Sequence, residues 1–290
     1  IKYKLQKSII KPTYNLSYKE ADEIIDYEIQ EEIDLIKIKE LMDKRRSRRL
    51  KKGAIIIDQP QGVFINSLSN PELSIVQKSR SRLFIEELMI LMNTIIAEFC
   101  SFNKIMILYR AQELKQQINY NLNLNYDVFQ SYKKSVLSKA TLTIKPSIHK
   151  GLGLLSYTQS TSPIRRYSDF IVQKQIINFI NRKNRLSPER LENILGKLKI
   201  AENNNKEVIR EEQRMAQINW FRQNQEKDWS TYFIKFLNKS ENIVVLRFKD
   251  LEQDIAVKID NTENWKIGDE LTLIYKNSLA ESSELIFQIK

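Results

Sequence analysis

The residues best suited to chemistry lie in one block: Tyr157-Thr158-Gln159-Ser160-Thr161-Ser162-Pro163-Ile164-Arg165-Arg166-Tyr167-Ser168-Asp169. Ser162 is a good helix cap and Pro163 a good first helical residue, so a helix is predicted from Pro163 to about Asn181. Arg165 and Arg166 then fall in the first turn, where the helix already carries partial positive charge. Two guanidinium groups there repel unless an anion sits between them. A phosphate would accept the free N–H groups and both guanidinium forks. The alternative is a pair of solvated arginines turned towards Asp169. Gly151 and Gly153, just upstream, let a backbone come close to a ligand. Their spacing fits neither a P-loop nor a dinucleotide fingerprint.

Three further groups stand out. Glu86 and Glu87 sit in an otherwise apolar helical stretch, and Glu86 shares a helical face with Asn93. A buried acid there needs a cation or a hydroxyl donor; a solvated stripe is the alternative. The run KRRSRRLKK (Lys44 to Lys52) carries seven basic residues in nine. It suits backbone phosphate, and equally a solvated helix C-terminus. Tyr18, at the start of a helix, is placed to stack on a base or ribose, or simply to pack. His149 is read as structural or as a donor beside phosphate. Trp220, Trp229 and Trp265 are expected to pack at a helix–barrel junction and in the barrel.

Composition narrows the classes. Lys and Arg number 47 and Asp and Glu 36 in 290 residues, a net charge of 47 − 36 = +11. A polyanionic partner follows, nucleic acid before an acidic membrane. Hydrophobic residues at 42% and charged residues at 29% are a folding composition. One cysteine, Cys100, excludes a disulfide framework and a Cys-rich zinc site within the chain, and a single histidine, His149, argues against His-dependent metal sites and a Ser-His-Asp triad. No apolar stretch is long enough to span a bilayer, so no membrane partner is expected. Six glycines and six prolines in this length point to long helices.

The elements that must position these residues read as follows. Residues 1–10 alternate like an edge strand. Ser17 and Glu20 have capping-box spacing and open a long helix to about Lys52, with Gly53 just past it. Gly53 to Asn66 reads as two short strands about a turn, and Leu73 to Gln77 as a third. Helices are predicted over Arg82 to Phe102, Tyr126 to Ala140 and Pro188 to Trp220, and strands over Ile105 to Leu108 and Ala140 to Ile144. From Tyr232 to Lys290 five short strands follow at near-regular spacing, the pattern of a small closed barrel such as an OB-fold. The fold class expected is α+β, with a helix-rich portion over 1–228 and a five-stranded barrel over 229–290.

HKGLGLLSYTQSTSPIRRYSDFIVQKQI closely resembles the signature of the ribonuclease II / RNB exoribonuclease family, usually near G-H-F-G-L-G-L-x-x-Y-T-x-x-T-S-P-I-R-R-Y-x-D. NLSYKEADEII, RRLKKGAIIIDQPQ, SRLFIEELMILMNTIIAEF and ILYRAQE resemble further family segments, and the tail sits where the family carries an OB-type RNA-binding barrel. The resemblance implies a 3′-to-5′ hydrolytic exoribonuclease that releases nucleoside 5′-monophosphates from single-stranded RNA with Mg²⁺. It implies that Arg165 contacts the scissile phosphate, that Tyr18 holds the terminal nucleotide, and that Glu86 positions the 3′-terminal ribose or Arg165. A further glutamate is matched best by Glu211, with Glu207 and Glu212 close. Arg166, Thr161, Ser162 and Arg110 are implied as RNA contacts, joined by Lys44, Arg45, Arg46, Arg48 and Arg49.

One departure bears on activity. The family's metal-binding aspartates form a D-x-x-x-x-x-D-x-D-D segment that this chain lacks, so no metal ligand is assigned to it. Lys150 also stands where the family often has an aromatic residue. The chain is therefore expected to be the C-terminal part of such an enzyme, binding RNA without cleaving it by itself. The alternative is a non-catalytic RNA-binding module or a split-enzyme subunit. A monomer is expected where the full-length chain is intact, in a plastid or a bacterial cytoplasm.

Overall fold

The computed structural model describes the chain apart from residues 1–2, 7, 13–14, 67–69, 261–263 and 280–283. In chain order the helices are α1 (Tyr18–Asp26), α2 (Ile33–Lys51), α3 (Arg80–Phe102), α4 (Tyr126–Val136), α5 (Tyr167–Ile180) and α6 (Pro188–Gln223). The strands are β1 (Gln61–Ile65), β2 (Glu72–Val76), β3 (Tyr109–Ala111), β4 (Thr141–Thr143), β5 (Asp228–Asn238), β6 (Ile243–Phe248), β7 (Gln253–Ile259), β8 (Glu270–Leu279) and β9 (Glu284–Ile289). The chain divides into two compact units, one of residues 1–56, 79–114 and 138–200, the other of residues 57–78, 115–137 and 201–290.

The first unit is helical. Its core gathers one face of α3 (Ile96, Ala97, Cys100), the apolar run Ile105–Tyr109, and Ile171, Val172 and Ile176 of α5; Leu191 of α6 joins it. The α1 cap forms as the spacing predicts: Ser17 accepts from the Glu20 amide, and Glu20 accepts from the Ser17 amide. The predicted single helix from Ser17 to Lys52 is nonetheless broken. Tyr27 caps α1, and Glu28 takes a left-handed φ of 49°. That conformation ends a helix whichever residue adopts it, and glutamate is not its usual occupant. Ile105 to Leu108 is buried as expected but forms no strand; pairing begins at Tyr109, where β3 meets β4 antiparallel. The described residues among the first ten also form no strand.

The second unit is built on the barrel. Strands close in the order β5-β6-β7-β9-β8, antiparallel except for β7 with β9. This is an OB-like order. Alternate residues point inward (Leu246 and Phe248 on β6; Ile255, Val257 and Ile259 on β7), as period-two alternation requires. Phe221, near the end of α6, fills the barrel, its ring centroid 4.9 to 5.9 Å from those of Trp229, Phe248, Tyr275 and Phe287. Trp229 lies in the core, and Trp220 and Trp265 pack against it. The β1–β2 hairpin belongs to this unit, with Val63 opposite Ser74. Of the two short strands expected between Gly53 and Asn66, only the second forms, as β1. The grouping differs from a division at residue 228, because the hairpin and α4 pack with the barrel.

Candidate functional site

The signature block folds into a loop held on both sides. Gly153 adopts a left-handed φ of 65°, and a Cβ there would lie 2.8 Å from the Ala54 amide nitrogen. The Ile55 amide donates to the Gly151 carbonyl at 2.9 Å. Further along, the Arg110 amide donates to Tyr157 O (2.8 Å) and Thr158 Oγ1 to Leu108 O (2.6 Å). Asn93, buried on α3, ties the next turn: its Oδ1 accepts from both the amide and the hydroxyl of Ser160, each at 2.9 Å, while its Nδ2 donates to the Tyr157 hydroxyl at 3.1 Å. Gln173 donates to Ser160 O at 2.7 Å. Burial raises the Tyr157 pKa and keeps the phenol neutral. The His149 ring stands edge-on to Tyr157 at 5.3 Å; burial pushes its pKa down to about 4, so it is neutral at pH 7.

The arginines sit differently from the sequence expectation. Helix α5 begins at Tyr167, not Pro163, and Arg166 rather than Ser162 is at its cap. Residues 163–165 form a turn in which the Arg165 and Arg166 amides both donate to Ser162 O. Asp169 holds that turn. This carboxylate is 0% exposed and accepts from the Ser162 amide (3.0 Å), Arg166 Nε (3.1 Å) and Ser168 Oγ (3.2 Å). It thereby pins the turn at Ser162 to the first turn of the helix, which starts four residues later than expected. Arg166 Nη2 lies 2.8 Å from Asp169 and 3.5 Å from Thr161 Oγ1. Arg166 is therefore neutralised and oriented. Arg165 is exposed and makes no side-chain hydrogen bond or ion pair among the described residues.

Exposed rings and apolar side chains flank Arg165 along the chain. Ile164 is fully exposed, and Tyr167 and Phe170 are exposed and stacked on each other (6.0 Å, 22°). Sequence reasoning missed this pair, although aromatics three apart in a first helical turn must share a face. An exposed cation beside stacked rings suits a nucleotide chain, phosphate on the one and bases on the other.

Of the two adjacent acids on α3, one turns inward and the other outward. Glu86 is exposed; Glu87 is 2% exposed and binds both Arg45 and Arg49 of α2. Arg49 Nε donates to Glu87 Oε1 at 2.9 Å, and Arg49 Nη1 to Leu152 O at 2.9 Å. Arg45 reaches Thr94 Oγ1 at 3.3 Å. Two of the five α2 cations read as RNA contacts are thus turned inward, and Arg49 is buried outright. Lys44 and Arg48 are exposed and Arg46 half-buried. The cluster fastens α2, α3 and the glycine loop together.

Tyr18 is 42% exposed, its ring 4.3 Å from the Arg82 guanidinium, and its carbonyl accepts from Ser81 Oγ at 2.9 Å. It is therefore fixed to the start of α3, while the signature loop is fixed to Asn93. Those anchor points lie about 16 Å apart along the helix axis at 1.5 Å per residue. Arg110 Nε donates to Gln159 Oε1 at 3.1 Å, so it also supports the loop. Ser162 and Thr161 are half-buried within it. Glu211 is exposed on the part of α6 that belongs to the second unit.

The acids of the first unit do not fit a divalent cation. Glu87 is committed to two arginines and Asp169 to Arg166 and two further donors. Among the described residues no three His, Cys, Asp or Glu side chains converge on a point. Among them, too, no helix is long and apolar enough to cross a membrane.

The RNB domain family matches residues 1–182. An uncharacterized ribonuclease of Synechocystis sp. is 26% identical over 99% of this chain, which covers 43% of that protein. A chloroplastic/mitochondrial ribonuclease II of Arabidopsis thaliana is 29% identical over 61% of the chain and 23% of its own length. The chain thus spans less than half the length of these relatives. Among solved structures, the Dss1 exoribonuclease of Candida glabrata, as an active-site mutant, superposes with a TM-score of 0.82 over 95% of this chain and 38% of its own, at 20% identity. Mycoplasma genitalium RNase R in complex with ribose-methylated single-stranded RNA gives 0.73 over 94% and 53%, at 18% identity.

Proposed function

The chain belongs to the RNB domain family, a family of ribonucleases, and from that premise we propose that it is the RNA-gripping part of a 3′-to-5′ hydrolytic exoribonuclease acting on single-stranded RNA. The observation that supports this reading most is the division of labour between two adjacent arginines. Arg166 is held by buried Asp169, and the exposed Arg165 beside it has no ion-pair partner among the described residues. In a hydrolysis that releases a nucleoside 5′-monophosphate, Arg165 contacts the scissile phosphate and stabilises the negative charge that builds on its oxygens. Tyr167 and Phe170 offer stacking faces to the bases, and Tyr18 a further ring for the terminal nucleotide. Glu86 is exposed and has no cation partner among the described residues, which suits it to meet a ribose hydroxyl. Magnesium, the ion expected for this chemistry, would be held by carboxylates other than Glu87 and Asp169.

A second reading, RNA binding without cleavage, is favoured by the same acids. Glu87 and Asp169 serve structure, so the described chain offers grip rather than a metal site. Relatives in a plant organelle and in Synechocystis support a plastid or bacterial setting for either reading.

Fluorescence anisotropy with the 290-residue chain tests the proposal. Labelled single-stranded RNA is expected to bind more tightly than duplex RNA or anionic vesicles, and Mg²⁺ alone should produce little cleavage. Equal affinity for all three polyanions would reduce the chain to a generic basic protein. Mg²⁺-dependent shortening from the 5′ end would reverse the assigned polarity.

A further inference from the structure

The second unit holds a cleft of about 420 Å³, within the range that takes a small ligand. One wall is the outward face of β6 and β7; the other is the segment Ile57–Phe64, with Gln213 and Gln217 of α6 at the side. In OB-type barrels the outward face of the second and third strands receives ligands, and here that segment partly covers it. The covering is built. A Cβ on Gly62 would lie 1.9 Å from Leu251 O, so only glycine permits the approach. The Gly62 amide donates to Glu252 O (3.1 Å), Gln253 Nε2 to Gly62 O (2.8 Å), and Arg247 to Pro60 O (3.2 Å).

The lining is rich in amides. Gln217 and Gln253 bond each other at 3.2 Å. Gln59 is 8% exposed, and its buried Oε1 has no hydrogen-bond partner among the described residues. A buried acceptor left unmet is costly until something supplies a donor. Arg247 is compensated by Glu252 and Asp254, Asp254 also lies 3.5 Å from Lys134, and Lys78 donates to the Ile57 carbonyl, so three cations against two carboxylates leave the cleft one positive charge in surplus, carried at the rim by Lys78. Phe64 adds an aromatic ring.

We infer that this cleft is a mononucleotide site with a preference for adenine. The glutamine amide is the side chain that pairs with both the amino group and the ring nitrogen of adenine; Gln59 Oε1 takes the exocyclic amine. The base lies against Phe64, and the phosphate faces Lys78 and Lys134. Uracil offers no exocyclic donor and is disfavoured. The inference goes beyond the reading of the signature loop and does not depend on it.

Isothermal titration of the 290-residue chain with AMP, adenosine, UMP and a short oligoadenylate is the test. AMP is expected to bind saturably, with UMP about tenfold weaker. Gln59→Leu should abolish that preference without lowering the melting temperature. Lys78→Ala with Lys134→Ala should bring AMP down to the affinity of adenosine. Gln59-dependent binding of free AMP identifies a free nucleotide as the ligand; the same dependence for the oligonucleotide alone identifies a base within a strand. Absent binding, equal affinity for AMP and UMP, or binding indifferent to Gln59→Leu would overturn the inference. So would AMP binding lost on Arg165→Ala, which would assign the nucleotide to the signature loop instead.

Discussion

Arg166 Nη2 lies 2.8 Å from the buried carboxylate of Asp169, and this pair compensates one of two adjacent arginines, while Arg165 has no such partner among the described residues. Asp169, third residue of α5, also accepts from the Ser162 amide and so ties the preceding turn to the helix. Asp169→Asn should therefore cost about 1.5–3 kcal/mol, the range for losing charge-assisted hydrogen bonds. Urea denaturation would read it, and an unchanged midpoint would show that the pair does not hold the loop.

The two adjacent glutamates of α3 should separate cleanly. Glu87→Gln leaves Arg45 and Arg49 without their carboxylate, and breaking such a buried ion pair costs about 3–5 kcal/mol. Glu86→Gln, at an exposed site, should stay within about 0.5 kcal/mol. Its effect, if Glu86 meets a ribose, should appear in RNA affinity or turnover instead. Thermal melting of both variants decides between them; equal losses would contradict the inward placement of Glu87.

Acid sensitivity should trace in part to His149. Burial, with the Arg110 and Arg49 charges adding to it, pushes its pKa from 6.5 down to about 4. Below pH 6.5 the unfolded chain takes up a proton that the folded chain refuses until about pH 4. Stability is therefore full above 6.5 and falls as pH drops through that window, by up to roughly 3 kcal/mol. His149→Gln should flatten the unfolding free energy between pH 6.5 and 4. A slope identical to the parent protein's would remove His149 as its source.

The basic run of α2 should behave as two sets. Replacing Lys44, Arg46 and Arg48 with Gln should weaken binding of single-stranded RNA and reduce its salt slope by about 0.7 for each phosphate no longer neutralised. Arg49→Gln should lower stability first, because Arg49 is bound to Glu87 and Leu152 O. A salt slope untouched by the triple variant would return those side chains to the solvated surface.

The barrel was legible in the sequence because each strand carries its own alternation: Ile255, Val257 and Ile259 point inward whatever surrounds them. Helix α3 and the capping box of α1 were legible for the same reason, since their signals lie within a turn or two of the residues they govern. What sequence reasoning missed depends on distant partners. Whether Glu86 or Glu87 faces inward is set by α2, forty residues earlier. The turn that precedes α5 is held by a side chain seven residues past the amide it binds. Ile105–Leu108 shows that a buried apolar run need not pair as a strand. The break at Glu28 had no glycine or asparagine to announce it. Of the site itself, the block around Arg165 was evident from its spacing. The aromatic pair Tyr167 and Phe170 was not, because aromatic rings in a helix so often pack inward.

The most direct test of the central claim is the effect of Arg165→Ala on RNA turnover and RNA affinity together, measured in whichever assembly supplies the acidic cluster. The expected result is turnover lowered by orders of magnitude with affinity for single-stranded RNA changed only a few fold, the signature of an interaction made in the transition state. Equal losses of binding and turnover, or full activity without Arg165, would contradict it.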